Sequence, residues 1–522
     1  MQEGLAFSLD YSWVCRSWRS SIIPYELLWS EVLFFDSNEG HTSLPLLETI
    51  VARSKKTTLL SIEAGCTTYR SGEYDERRNY LISILRSNWQ RVRHLRVAFV
   101  GGPLGADQVK EMMVIVCKPA PNLQMFDARL YGDGGIIQLR PHNLFNNVAP
   151  SLRRFNARGI HFSFNSPWLS NLTSFTTSRM SQFIATMKET LDTLERMPHL
   201  EYLAIGHRIQ VPLHDVDELS LPRVISLPAL THLVIEQPIF KCVSLLDNIE
   251  PSASGCLTSF SAGLIFHEQA IHLRRLFETS LLRARRIFPI EAFQSICVNF
   301  DNDGITISIA TPQLEHRTGT SYHTINSLQC VCFRLCWDNL STGIPIAAPS
   351  RDHTAHIPEI ELALGYFSNI TTLRVAQVPP NTMDLLARFS LVTTLEINID
   401  VLLCIHLLGG GNHEDAPYQL FPQLRTLRVN LLPFRSVYGD GDLIPELISF
   451  LRDRALCDVP IHHLDFVGPK SDTEKSVCRR FSEFNDLKVT WKGTRDPEDN
   501  DLHYIYRLFL FIWGLILANI PK

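Results

Sequence analysis

The sequence lacks an excess of charge of either sign. Its 522 residues include 49 lysines and arginines and 54 aspartates and glutamates, a formal net charge of −5 with histidine neutral. Because a general nucleic-acid partner requires a basic field, this balance disfavours nucleic acid. A local basic cluster is expected to be the solvated face of one helix. Its members are Arg274, Arg275, Arg283, Arg285 and Arg286. With 45% hydrophobic and 20% charged residues, the composition predicts a folded chain with a substantial core.

Residues 1–4 do not provide the basic stretch and apolar core of a secretory signal peptide. We therefore expect an intracellular protein of the cytoplasm or nucleus. The 12 cysteines are scattered along the chain and form no compact framework. We expect them to be reduced and mostly buried, because thiols stay reduced in those compartments and pack well in cores.

Motifs of catalysis and cofactor binding are missing as well. No G-x-x-x-x-G-K-[ST] phosphate loop and no G-x-S-x-G nucleophile turn occurs. The glycines of 132–135 lack the spacing of a dinucleotide fingerprint. His267 and His272 would lie on different helix faces, because zinc-binding histidine pairs are spaced four residues apart, not five. The sequence predicts no catalytic residue, no cofactor and no metal, and hence a protein that is not an enzyme.

Three cysteines, Cys330, Cys332 and Cys336, admit two interpretations. Together with a histidine such as His323 they have the ligand types of a zinc site. On a strand, their even spacing places all three thiols on one face, and buried cysteines are common in cores. We favour the core.

A short motif, apolar-x-x-Leu/Phe-x-apolar, recurs along the chain, and most neighbouring copies lie roughly 22 to 37 residues apart. The copies begin at Val92, Leu123, Leu152, Leu200, Leu230, Leu257, Ile370, Val392, Leu424 and Ile461. Within a copy the apolar residues alternate, as in Leu395, Ile397 and Ile399, which predicts a strand with one buried face. Between copies the period becomes helical. The helices are predicted at 107–117, 181–197, 381–389 and 443–451.

Such a strand-helix unit cannot bury its apolar face alone, so the units must stack. The predicted fold class is α/β: an irregular leucine-rich-repeat-like solenoid over residues 41–495, with a parallel sheet and outer helices. The alternative is an α/β domain with a closed core. At 293–309 the pattern indicates an inserted hairpin that turns at Asp303-Gly304, since such a pair suits a tight turn. Loops are predicted at 341–356 and 409–417.

The stretch from Trp13 to Val32 predicts a short amphipathic helix, followed after Pro24 by a second helical turn. Its pattern, V-C-R-x-W-R with L-W about ten residues later, resembles the second half of an F-box in the large F-box families of filamentous fungi. Behind it, L-L-E-x-x-x-x-R-S and a strand ending in Ser-Ile, within residues 44–62, resemble the segment that follows the F-box in those proteins. The fold is therefore expected to begin with a short helical F-box remnant at 1–36.

The resemblance implies a substrate receptor that links a target protein to a Skp-cullin-F-box ubiquitin ligase by protein binding. Its implied partners are a Skp-type adaptor and a target protein. The residues expected to face the adaptor are Val14, Cys15, Trp18, Leu28 and Trp29. The family usually opens with a Leu-Pro helix, whereas residues 1–11 contain no proline. The alternative is a repeat scaffold or interaction protein without a ligase partner.

The C-terminal residues 496–522 combine an acidic linker with an apolar segment that predicts a hydrophobic helix. Residues 504–520 reach the length of about 17 residues that a bilayer crossing requires, and Tyr504, Tyr506 and Trp513 are residue types found at membrane interfaces. A membrane-anchored protein is therefore the alternative localisation. The competing interpretations are a misread terminal exon and a helix that folds back on the last repeat.

Overall fold

The structure is a computed structural model of the chain. It describes residues 33–34, 44–54, 57–66, 73–99, 106–130, 143–158, 160, 162–177, 184–206, 208–210, 223–251, 257–263, 270–285, 295–301, 304–310, 329–336, 369–375, 386, 389–398, 420–430, 444–469 and 479–494. The predicted F-box helices, the loops at 341–356 and 409–417, and the apolar segment at 504–520 lie outside the described residues. Of the helix predicted at 381–389, only residues 386 and 389 are described.

The chain divides into two compact units, residues 1–237 with 244–256, and residues 238–243 with 257–522. In the first unit the strands are β1 Leu33–Phe34, β2 Leu60–Cys66, β3 Val92–Phe99, β4 Met125–Leu130, β5 Arg154–Arg158, β6 Ser174–Thr177, β7 Ile184–Thr186, β8 Tyr202–Ile205, β9 Arg208–Gln210, β10 Ile225–Leu227, β11 His232–Glu236 and β12 Ile249–Pro251. Its helices are α1 Leu44–Arg53, α2 Glu73–Asn88, α3 Ala106–Val116 and α4 Met187–Glu195; α5 Ile239–Asn248 crosses the boundary in sequence. Three 3-10 turns lie at Trp89–Arg91, Leu144–Asn147 and Pro167–Asn171.

The main sheet of the first unit is parallel, in the order β1-β2-β3-β4-β5-β6-β8-β11. The pairs β7–β9 and β10–β12 are also parallel. The register aligns the Leu or Phe of the motif copies in this unit, together with Ile62 and Phe175 of two further strands, into one buried column, whose members are at most 2% exposed. The column contains Ile62, Leu95, Phe126, Phe155, Phe175, Leu203 and Leu233.

The second unit contains β13 Leu257–Gly263, α6 Ala270–Arg285, β14 Ser295–Asp301, β15 Gly304–Ala310, β16 Gln329–Cys336, β17 Thr372–Val375, β18 Thr394–Asn398, β19 Thr426–Asn430, α7 Ile444–Leu456, β20 His463–Pro469 and β21 Lys488–Thr494. Its strands pair in the order β13-β16-β15-β14-β17-β18-β19-β20-β21. Only the β16–β15 and β15–β14 pairings among these are antiparallel, and Asp301 pairs with Gly304 where β14 turns into β15. Cys330, Cys332 and Cys336 occupy β16, but their side chains lie outside the described part.

The prediction of an α/β chain with parallel sheets is confirmed in both units. It follows from the alternation of apolar residues, because each strand buries one face while helices lie between several of the strands in sequence. The predicted helix at 107–117 corresponds to α3, and the one at 443–451 corresponds to α7, which continues to Leu456. On α6, Arg274 and Arg275 are exposed, as expected of a solvated face.

One local arrangement recurs where strands begin. A four-residue turn with proline second precedes the strand, and the N–H of its last residue donates to the carbonyl of its first over 3.0 to 3.3 Å. Proline suits this position because its fixed φ matches the turn. The turns are 120–123, 149–152, 197–200, 227–230 and 421–424.

A second recurring contact joins each of these turns to the preceding strand. The carbonyl of Gln124 accepts the N–H groups of both Arg153 and Arg154, at 2.9 and 3.0 Å. In the second unit the carbonyl of Thr393 accepts those of Arg425 and Thr426, both at 2.9 Å. Because one carbonyl holds two consecutive donors, the strand starts in a fixed register relative to its neighbour.

The core of the first unit is rich in stacked aromatic rings. Phe155 lies 5.6 Å from Phe126, 6.1 Å from Phe175 and 4.8 Å from Trp168, measured between ring centroids. Phe145 joins this cluster with its ring edge on, 5.2 Å from Phe126. It is fully buried and has φ 57°, in the left-handed region. This conformation costs about 1 to 2 kcal/mol in a residue other than glycine, which the buried ring contacts offset.

Helix α4 begins later than the sequence predicts, so the start predicted at residue 181 is wrong. Residues 184–186 form β7, and the helix runs from Met187 to Glu195. Thr186 sets the boundary, because its side chain accepts the N–H of Glu189 at 3.1 Å while a Glu189 carboxylate oxygen accepts the N–H of Thr186 at 2.8 Å. This reciprocal capping box satisfies helix donors that a continuing helix would have paired.

We expect Thr186→Ala to lower the free energy of unfolding by about 1 kcal/mol.

The hydrogen bonds from the backbone N–H and the hydroxyl of Thr186 lower the pKa of Glu189 in the folded chain. Stability from the ionised carboxylate is therefore present above the unfolded pKa, about 4.3, and lost as pH falls through the lower folded pKa. The stability difference between the natural chain and Glu189→Gln, measured by urea unfolding, should shrink from neutral pH to about pH 3. A difference that grows on acidification would contradict this assignment.

Candidate interaction surfaces on the two sheets

The outward face of the first unit carries a buried carboxylate held by two arginines. The side chain of Asp127 on β4 is 4% exposed. One of its oxygens lies 3.2 Å from Arg96 Nε and 3.5 Å from Arg129 Nη2, and the other accepts Asn156 Nδ2 at 2.9 Å. The register positions these residues, because Arg96, Asp127 and Asn156 are direct partners on β3, β4 and β5. Asp127 therefore fixes the two guanidiniums beside each other at the surface.

Arg96 also forms an ion pair with the neighbouring strand on its other side, β2. Its Nη1 lies 3.1 Å from Glu63 Oε1 on β2. Partial burial alone would lower the pKa of Arg96, but the charge of Glu63 and the hydrogen bond and charge of Asp127 outweigh it and raise that pKa. This guanidinium consequently remains charged at any physiological pH, and its role is electrostatic and geometric rather than that of an acid or base.

The second unit carries a ladder of alternating charge at the equivalent outward position. The register aligns Arg374, Glu396, Arg428 and Asp465 on β17 to β20. Glu396 Oε2 lies 2.8 Å from Arg374 Nη2 and 3.4 Å from Arg428 Nη1, and Arg428 Nε lies 3.7 Å from Asp465 Oδ2. On β21 Thr490 donates its hydroxyl to Asp465. Two cations and two anions alternate, so this row is neutral and self-paired.

These charged surfaces are candidate interaction features that motif searching missed. Their charged residues occupy the variable position between the two apolar residues of each motif copy, as at Arg96, Asp127, Glu396 and Arg428. Aligning the copies would have shown complementary charges at one position. The ion pairs themselves depend on strand register, which joins residues 22 to 33 positions apart.

The adaptor-facing residues predicted from the sequence, Val14, Cys15, Trp18, Leu28 and Trp29, lie outside the described residues. Across the described ranges, no set of three or more histidine, cysteine, aspartate or glutamate side chains is arranged to hold a metal ion. The same ranges contain no helix with the length and apolar character needed to cross a bilayer.

Comparison with known proteins returned no matching family model, no matching curated protein and no matching solved structure.

Proposed function

We propose that the protein is an F-box-type substrate receptor, which links a target protein to a Skp-cullin-F-box ubiquitin ligase. The observation that carries the proposal is the pattern V-C-R-x-W-R followed by L-W within residues 13–32. Apolar residues of these helices would contact a Skp-type adaptor, and the two charged sheet faces are candidates for target binding. Such a receptor acts by proximity, in line with a sequence that offers no catalytic motif. In this proposal the protein is not an enzyme and requires no cofactor.

We further propose that the sheets belong to an irregular leucine-rich-repeat-like solenoid. Three features support this proposal in each unit: neighbouring parallel strands follow one another in sequence, a proline turn precedes strands, and one carbonyl accepts two donors at strand entry. The antiparallel strands β14 and β15 interrupt the pattern in the second unit. Strand-helix units of this kind present one open sheet face, which suits protein binding.

The segment after the F-box pattern supports the proposal of an F-box-type receptor. Helix α1 ends at Arg53, Ser54 caps its last turn by donating to Val51 O at 2.8 Å, and β2 follows at Leu60. This is the helix and strand order expected behind an F-box in the families that the sequence resembles. β1 and β2 are parallel neighbours in the first sheet, and β1 comes directly after the predicted adaptor-binding stretch in sequence.

The test is a binding titration of the purified full chain with a purified Skp-type adaptor. We expect binding, and we expect Trp18→Ala with Trp29→Ala to weaken it at least 30-fold, because truncating a central interface tryptophan costs about 2 kcal/mol or more. Arg16→Ala with Arg19→Ala is the matched control on the opposite face of the same helix, and its affinity should be unchanged. Thermal unfolding of all variants establishes that they are folded.

A repeat scaffold without ligase association is the second candidate. Its prediction is distinct: the natural chain would show no adaptor affinity at micromolar concentrations. Equal losses in the tryptophan and arginine variants would also count against the receptor proposal. A membrane-anchored form through residues 504–520 would be detected as flotation of the full chain with lipid vesicles.

A further inference from the structure

We infer that the outward face of β3, β4 and β5 in the first unit binds an extended segment of a partner protein that is rich in aspartate and glutamate. The inference rests on the proposed function for the role of that partner as the target of the receptor. The binding itself is measured without the adaptor, so the two proposals can fail independently.

The first argument is the local charge. At the strand entries and outward positions of β3, β4 and β5, five arginines with described side chains accompany one carboxylate, that of Asp127. The arginines are Arg93, Arg96, Arg129, Arg153 and Arg154. Asp127 is 4% exposed, whereas the Arg96 and Arg129 side chains are 49% and 36% exposed. The surface that a partner meets is therefore basic, although the chain as a whole has a net charge of −5.

The second argument is that two of these arginines have no acidic partner among the described residues. The Arg153 guanidinium donates only to the backbone carbonyls of Pro150 and Leu152. The Arg154 side chain is exposed and makes no hydrogen bond or ion pair within the described part of the chain. Arg129 directs Nε and Nη2 to Asp127. These guanidiniums retain N–H groups that can donate to carboxylates of a partner.

The third argument is that the basic character ends within the same sheet. On the neighbouring strands β6, β8 and β11, the strand-entry and outward positions carry no lysine or arginine within the described ranges, and two of them are Glu201 and Glu236. The basic positions are therefore confined to β3, β4 and β5, since β2 on their other side carries Glu63 at its outward position. A partner with an acidic segment is attracted to these three strands, because complementary potentials fix its position and orientation.

The spacing of the arginines indicates several carboxylates rather than one phosphate. Arg154 pairs in register with Met125, which lies four residues before Arg129 on the same strand. At about 3.3 Å per residue, these two positions are separated by about 13 Å along the sheet. An extended peptide with acidic residues at alternate positions places its side chains about 7 Å apart, so it can engage Arg154, Arg129 and Arg96 together.

The second unit provides an internal contrast. Its outward row alternates Arg374, Glu396, Arg428 and Asp465, and both arginines pair with Glu396. Because that row is neutral and satisfies its own charges, it gains little from an acidic ligand. The charged residues at this motif position thus pair with one another in the second unit, whereas those of the first unit leave an excess of arginine.

The experiment measures fluorescence anisotropy of labelled peptides with the full-length protein. The probes are a peptide of about twelve residues with glutamate at alternate positions, a peptide with glutamine at those positions, the glutamine peptide carrying a single phosphoserine, and a single-stranded oligonucleotide. We expect the glutamate peptide to bind, the glutamine peptide not to bind, and the glutamate affinity to fall as salt rises from about 0.05 to 0.5 M, because screening weakens exposed charge pairs.

Variants locate the site. We expect Arg153→Gln with Arg154→Gln to raise the Kd for the glutamate peptide about tenfold. The control, Arg274→Gln with Arg275→Gln on α6, removes the same charge from another exposed basic surface and should leave the Kd unchanged. Arg154→Gln alone serves as a second variant, since it removes no hydrogen bond within the described residues and should raise the Kd about threefold.

Several results would overturn the inference: equal losses in the test and control variants, equal binding of the glutamate and glutamine peptides, or tighter binding of the phosphoserine peptide or the oligonucleotide. Adaptor binding by Arg153→Gln with Arg154→Gln should match that of the natural chain. Conversely, Trp18→Ala with Trp29→Ala should keep peptide affinity while losing the adaptor. These opposite outcomes distinguish a failure at this face from a failure of the proposed function.

Discussion

Replacing Arg454 by leucine is expected to lower the free energy of unfolding by about 3 to 5 kcal/mol. Arg454 lies near the end of α7 and is 2% exposed. Its guanidinium donates to the carbonyls of Leu420 at 3.1 Å, Phe421 at 3.1 Å and Val459 at 3.2 Å. Burial lowers its pKa, and the three carbonyl bonds compensate for its desolvation. Leucine removes all three donors: the carbonyls of Leu420 and Val459 lose a part-buried hydrogen bond, and that of Phe421 keeps only the turn bond from the N–H of Leu424.

The position of these carbonyls explains why the effect should be large. Phe421 begins the proline turn before β19 and has φ 56°, in the left-handed region. Arg454 thus fixes the backbone at the entry of one strand and, through Val459, the segment leading from α7 into β20. Losing this contact removes a buried side-chain link between a helix and two strand entries, beyond the local cost of the unsatisfied carbonyls.

Urea unfolding followed by pulse proteolysis measures the change. The control is Arg452→Leu, two residues earlier on the same helix, where the side chain is 57% exposed and pairs with Glu483 at 3.0 Å. An exposed pair of this kind contributes less than about 1 kcal/mol. Similar midpoints for the two variants would show that Arg454 does not hold the strand entries as described.

The second large effect is expected from Phe155→Ala, which should cost about 4 kcal/mol. Phe155 is 1% exposed and lies at the centre of the aromatic cluster. Its ring contacts those of Phe162 at 4.9 Å and Trp168 at 4.8 Å, and its backbone belongs to β5, between β4 and β6. Alanine would remove a ring that several neighbours pack against and leave a cavity that close-packed strands cannot fill.

Phe155→Leu provides the matched comparison, because it keeps an apolar side chain of intermediate volume and should cost about 1 to 2 kcal/mol. Urea midpoints of the two variants should therefore rank below the natural chain in the order leucine, alanine. If alanine cost no more than leucine, the site would be collapsing around the smaller side chain, and the aromatic cluster would not be the rigid centre of the first unit.

The sequence allowed the strands to be predicted because their information is local. Alternate apolar residues, as at Leu395 and Ile397, mark a buried face whatever the neighbouring strands are. Pairing between parallel strands was expected for the same reason, since each unit needs a neighbour to cover it, but the pairing of β13 with β16 around β14 and β15 was not. Proline turns such as 421–424 add a local stop before a strand.

Other features were beyond prediction because they arise only when distant residues meet. In the sequence, Arg454 resembles the other polar residues of an amphipathic helix. In the structure it is buried and donates to carbonyls 33 and 34 residues away. The left-handed backbone conformation of Phe145 could not be predicted, because the residue is not glycine and the conformation is stabilised by its ring contacts. The start of α4 was missed because the capping box of Thr186 and Glu189 outweighed a helical pattern that continued upstream.

The charged faces fall between these two cases. The positions of Arg96 and Asp127 could have been assigned to an outward face from alternation alone. Which charges pair across strands required the register, and the burial of Asp127 required the arrangement of Arg96, Arg129 and Asn156 around it. The excess of arginine over acidic residues around Arg153 and Arg154 could not be predicted, because it depends on which strands lie beside the start of β5.

We propose that residues 13–32 bind the adaptor and that β3, β4 and β5 bind the target. The most direct test is hydrogen–deuterium exchange of the full chain with and without a saturating Skp-type adaptor. The receptor proposal expects slower exchange within residues 13–32 on adaptor binding, with β3, β4 and β5 unchanged. Protection that appears on those strands and leaves residues 13–32 unaffected, or no protection anywhere, would contradict it.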